Sequence, residues 1–92
     1  MGYYIQTPEP TGKAAYLREH HGAIAVEPVE PSALAPDQAL VCVIENAGFD
    51  AAAYCYNDRE FQEFALPDDR RPREWLLMDR AIVERLSSYG QR

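Results

Sequence analysis

The sequence predicts an α+β two-layer sandwich, a mixed β-sheet of about five strands with about three helices in the order β-α-β-β-β-α-β-α. Three observations carry it. Residues 39–58, ALVCVIENAGFDAAAYCYND, read as two apolar strands joined at Asn46-Ala47-Gly48 and followed by a helix cap. Cap-like residues and breakers flank three stretches that can be helical. The chain has 92 residues, 47% of them hydrophobic, which is room for one core and so for a single domain over residues 1–92.

Taken in order, residues 2–7 (GYYIQT) are rich in aromatic and β-branched types and stop at Pro8-Glu9-Pro10, so they form a first strand. Thr11 is placed to cap a helix running through His21, with Gly22 closing it. Residues 23–27 favour a short strand, and residues 28–38, with Pro28, Pro31 and Pro36, form an extended loop. The hairpin strands occupy about 39–45 and 49–56. Asn57, with Glu60 three residues on, starts a second helix that turns Phe61 and Phe64 to the core. The cluster PDDRRPR at 67–73 is a loop. The apolar run at 74–78, EWLLM, is too short for a helix and reads as a strand buried on both faces. Asp79 caps a last helix in which Ile82, Val83, Leu86 and Tyr89 recur at helical spacing, and Gly90 ends it. Right-handed crossovers put the first two helices on one face of the sheet if the strands flanking them share one direction.

Charge narrows the partners. The net charge is -6, and a surface that tracks nucleic acid needs Lys and Arg to neutralise phosphates, so a nucleic-acid partner is not expected. Lys13, Arg18 and Arg59 are the only bases before residue 67, whereas six of the nine basic residues follow it. No run approaches the ~18 apolar residues of a membrane span and no signal peptide is evident, so a cytoplasmic protein without membrane contact is expected. Cys42 and Cys55 cannot form a zinc site alone. His20 and His21 adjoin at a helix end, where they suit the C-terminal dipole. No metal and no cofactor are expected, and the two cysteines read as buried free thiols. Thr11-Gly12-Lys13 resembles the tail of a phosphate loop, but Thr7 stands where its first glycine belongs and Ala14 where its Ser or Thr belongs.

Two surfaces emerge. If Glu45 pairs with Asp50, Leu40, Cys42, Ile44, Ala51, Ala53 and Cys55 share one face, where small alanines let a helix approach, and this is the expected core face. Val41, Val43, Ala52, Tyr54 and Tyr56 share the other, which is too apolar to face water. Its cover is the proline loop or third helix, a second copy of the chain, or another protein. Val41, Val43, Tyr54 and Tyr56 are therefore candidate interface residues. Arg70, Arg71 and Arg73 join them, because arginines beside Trp75 are the residue types of interface hot spots. The alternative site is a ligand edge: with strands one, four and five parallel, Thr7, Asn57, Asp58, Asp79 and Arg80 line one sheet end, with Asp58 as acid or base and Arg80 holding an anion.

The segments ENAGFDAAAYCYNDREF and REWLLMDRA resemble stretches of small bacteriophage accessory proteins. That resemblance implies a non-catalytic protein that binds and inhibits or modulates a host factor, in the manner of an anti-defence protein. The acidity gives a sharper version, a DNA mimic, in which Glu9, Glu27, Glu30, Asp37, Glu45, Asp50, Asp58, Glu60 and Glu63 imitate phosphates from one face. Binding to a protein partner, with a homodimer through the tyrosine-bearing face as a variant, is the expected mode of action.

Overall fold

The computed structural model describes residues 4–65 and 70–87. Its elements are helix α1 (Lys13–His21), strand β1 (Ile24–Val26), a 3-10 turn (Pro31–Ala33), strands β2 (Gln38–Asn46) and β3 (Phe49–Cys55), helix α2 (Asp58–Phe64), strand β4 (Arg73–Asp79) and helix α3 (Arg80–Ser87). The class is α+β, with three helices on a four-stranded sheet of order β1-β4-β2-β3.

The hairpin has the register read from the sequence, Glu45 opposite Asp50 and Cys42 opposite Ala53. Gly48 (φ 94°) is the only turn residue with positive φ, which excludes the mirror-image hairpin turns that need positive φ at Ala47. The expected first strand is reduced, among the described residues, to one bridge between Tyr4 and Ala53. Ile5 N–H donates to Ala52 O at 2.8 Å and Asp50 N–H to Pro10 O at 2.6 Å, so this segment runs along the outer side of β3. Prolines 8 and 10 supply no N–H with which to continue the ladder.

The sheet is antiparallel throughout, not mixed. β3 and β4 do point the same way, but β2 lies between them. The strands flanking α1 run opposite to those flanking α2, and a constant handedness then puts these helices on opposite faces. The expectation of α1 and α2 side by side is corrected accordingly. α1 and α3 cover one face, where Leu17, Val41, Val43, Leu76 and Val83 are fully buried with Ala14, Ala52, Tyr54 and Met78. α2 and the proline segment cover the middle of the other, where Phe61, Leu40, Cys42, Cys55 and Trp75 cluster with Val29, Leu34 and Phe64 packed on them.

The larger core is thus on the Val41 face, not on the Leu40 face expected to hold it. The third helix, with α1, is its cover. β4 is buried on both faces as expected, since Trp75 belongs to one cluster and Leu76 and Met78 to the other. Each such large apolar side chain contributes about 1.5–3 kcal/mol by leaving water.

The helix starts differ in how they are capped. Asn57 Oδ1 accepts from Glu60 N–H at 2.9 Å, the N-cap expected from the sequence, while Glu60 Oε1 reaches one residue further back and accepts from Tyr56 N–H at 2.5 Å rather than from the Asn57 N–H of a reciprocal capping box. Asp79 Oδ1 accepts from Ala81 N–H at 2.8 Å at the start of α3. Tyr89 and Gly90 lie outside the described residues. The start of α1 departs from expectation: its N-cap is Gly12 (φ 74°) rather than Thr11, with no cap from its own side chain. The Asp50 carboxylate takes that role from the sheet, accepting from Gly12 N–H at 2.6 Å and Lys13 N–H at 3.1 Å.

Candidate functional site

Strand alternation puts Phe49, Ala51, Ala53 and Cys55 of β3 on the same face as Leu40, Cys42 and Ile44 of β2. α2 is two turns long and reaches only part of this face. Its Phe61 ring lies 5.1 Å from Trp75, which seals the end near Leu40 and Cys55. Towards the hairpin tip the small side chains leave a groove of about 340 Å³. Cys42, Ile44, Ala51 and Ala53 form its floor, Tyr4 and Phe64 flank it, and Glu63 and Arg71 carry opposite charges at its rim. Tyr4 is 55% exposed and Phe49, one step beyond Ala51 on the same face, is 53% exposed. The alanines that were expected to admit a helix instead floor an open apolar groove.

The candidate interface residues are dispersed. Val41 and Val43 have no exposed surface and Tyr54 is 4% exposed, so none of them can meet another protein in the folded chain. Burial pushes the Tyr54 hydroxyl pKa up, with the Arg80 charge opposing it. Tyr56 is exposed, at the sheet end remote from the groove, with its ring 5.8 Å from Tyr54 and 5.9 Å from the Arg80 guanidinium. Trp75 is 6% exposed and packs inward, so it is no hot spot beside the arginines. Arg70 is exposed, Arg73 pairs in register with Ile44, and Arg71 donates to Asn46 Oδ1 at 3.2 Å while lining the groove. Of the predicted surface residues, Arg71 is the one that the structure brings to the groove.

At the proposed ligand edge, Asn57, Asp58, Asp79 and Arg80 do share the end where β3 and β4 finish. Thr7 is at the opposite end, beside Lys13 Nζ at 2.9 Å, because the first segment runs antiparallel to β3. The polar groups at this end are already engaged. Asp58 Oδ1 accepts from Ser32 N–H at 3.0 Å, which ties α2 to the proline segment, and Arg80 Nε donates to Glu84 Oε2 at 3.0 Å. A shallow open depression lies here between Pro31, Ser32, Tyr56, Asn57, Asp58 and Arg59.

Four of the nine acids considered as phosphate mimics have local partners. Asp50, Asp58 and Glu60 hold backbone N–H groups, and Glu63 Oε2 is 3.9 Å from Arg59 Nε. Asp37 and Glu45 flank opposite ends of β2, eight residues and so roughly 26 Å apart. Cys42 and Cys55 are buried and free. Among the described residues no group of His, Cys, Asp and Glu could hold a metal ion, and no helix is long and apolar enough to cross a membrane.

Of the groove residues, sequence reasoning missed Tyr4 and read Glu63 as a surface acid and Phe64 as core; Phe49, which it also passed over, stands beside the groove on the same face. The hairpin register already placed Phe49 with Ala51 and Ala53, but it could not tell how short α2 would be. Compared with known proteins, the chain matches no protein family, no curated protein and no solved structure.

Proposed function

We propose that the protein is a non-catalytic binding protein that acts by contact with another protein, through the groove between the hairpin tip and α2. The observation that carries this reading is an apolar groove with exposed aromatic rings beside it and a cation and an anion at its rim. That composition, apolar centre and charged border with Tyr, Phe and Arg, is the one that protein interfaces favour. The resemblance to phage accessory proteins makes the partner a host factor that is inhibited or modulated. The acids then serve as solubilising charge rather than as a DNA mimic, since three of them are committed to backbone N–H groups and two stand at opposite ends of β2.

Affinity capture from a bacterial lysate tests this reading. The tagged protein is expected to retain a protein that Phe49→Asp and Arg71→Glu lose and Tyr56→Ala keeps. Capture that is equal in all of them would contradict it.

A second reading, a small-molecule site or minimal enzyme at the sheet end, has the depression beside Tyr56 in its favour. It is the weaker one, because Asp58, Asn57 and Asp79 serve as loop tether and helix caps there.

A further inference from the structure

The two edges of the sheet are treated differently. Along β3, the outward-pointing groups are taken up by the N-terminal segment, at Ala52 O and Asp50 N–H. Along β1 no strand pairs with the outer side among the described residues. Which groups of β1 face outward follows from the ladder. Glu45 N–H points at Pro72, so Val43, Val41 and Ala39 bond to β4, through Glu74, Leu76 and Met78. Trp75 and Leu77 then bond to β1, through Val26 and Ile24. This leaves the N–H and C=O of Ala25 directed away from the sheet.

β1 is short, but between Ile24 and Val26 it carries no charge and no proline, and Ile24 is 61% exposed, the largest exposure of any large hydrophobic residue described. Such an edge accepts another strand.

We propose that two copies of the chain pair antiparallel through β1 about a two-fold axis at Ala25, joining their sheets into one. The occupant is a second copy because the edge is complementary to itself. Ala25 of each copy exchanges both hydrogen bonds with the other, and Ile24 falls opposite Val26 on the same face, covering its exposed side chain. Glu27 falls opposite Ala23, whose C=O takes the Glu27 N–H, and lies next to His20 and His21 in the last turn of α1 in the other copy, whose Arg18 is held by its own Glu74. The two Glu27 side chains are kept about 14 Å apart along the strands, beyond the ~8 Å screening length of physiological salt. Pro28 ends the ladder, since it has no N–H. This surface is distinct from the groove and does not depend on it.

Sedimentation equilibrium from about 10 µM to about 1 mM tests the pairing. The wild-type mass is expected to rise towards twice the 10.4 kDa of the chain. Ala25→Pro removes only an outward N–H and leaves the β1–β4 bonds in place, and Ile24→Lys puts a charge on the edge. Each is expected to weaken association at least tenfold while circular dichroism and melting stay those of the wild type, whereas Phe49→Asp leaves association unchanged. A wild-type chain that stays monomeric across the range, or a dimer that both edge variants leave intact, overturns the proposal. If either edge variant melts early, a peptide of residues 22–28 serves instead. It is expected to compete the dimer apart, and failure to compete overturns the pairing.

Discussion

The carboxylate of Asp50, on the second strand of the hairpin, caps the first helix at Gly12, 38 residues earlier in the chain, across 2.6 Å. Asp50 is 8% exposed, and its own N–H donates to Pro10 O, so one residue fixes both the entry of α1 and the edge of β3. α1 depends on it, since Gly12 brings no side-chain cap and no acid stands in its first turn.

Asp50→Ala leaves two helix N–H groups without their acceptor in a partly buried place. Urea unfolding is expected to show a loss of about 1–3 kcal/mol, with Asp50→Asn losing less because its amide oxygen still accepts. Thr11→Ala is expected to change stability by under about 0.5 kcal/mol, which separates the remote cap from the one the sequence suggested.

Phe61 closes the smaller core by covering Trp75, the only tryptophan in the chain. Phe61→Ala is expected to cost about 3 kcal/mol and to shift the tryptophan emission to the red as water reaches the ring. Tyr56→Ala, at an exposed ring, is expected to do neither.

The thiol of Cys55 is pushed well above the ordinary range by burial, then by the neighbouring Cys42 and Glu60. The unfolded chain ionises that thiol near about pH 8.5, while the folded chain holds its proton. Above that pH the unfolded state binds fewer protons, so stability that is fully present below it falls as pH rises, by at most about 1.4 kcal/mol per unit. Chemical unfolding between pH 7 and 10 is expected to show this fall, flattened in Cys55→Ala. Alkylation of the native protein is expected to be slow at both cysteines, because each is 1% exposed.

Gly48 sits in the hairpin turn with a φ that only glycine adopts freely. Gly48→Ala is expected to cost about 1–2 kcal/mol without moving the register, which the seven-pair ladder from Leu40–Cys55 to Asn46–Phe49 holds in place.

Local chemistry made much of this fold legible. The Asn57–Glu60 cap, the Gly22 helix end, the Asp79 cap and the pairing of Glu45 with Asp50 each depend on residues close in sequence. The layer assignment did not, because it follows from strand direction. With β2 lying between β3 and β4, α1 and α2 fall on opposite faces, and Val41, Val43 and Tyr54 pass from candidate interface to core. The cap of α1 was illegible for a similar reason, since its acceptor comes from a different element. The groove was hidden by a matter of length: the alanines at 51 and 53 announce a close approach, but α2 stops before it can fill the space they leave. Arg71 was singled out for its neighbour Trp75, and it reaches the groove for another reason, its position just before β4.

Quantitative binding of the captured partner to three forms of the protein tests the groove most directly. Calorimetric titration of wild type, Phe49→Asp and Tyr56→Ala, each with an unchanged melting temperature, separates the open face from the sheet end. Contact through the groove predicts at least a hundredfold loss for Phe49→Asp, a hot-spot loss of about 3 kcal/mol, and a change of less than threefold for Tyr56→Ala. An affinity that survives Phe49→Asp, or that falls instead with Tyr56→Ala, would contradict it.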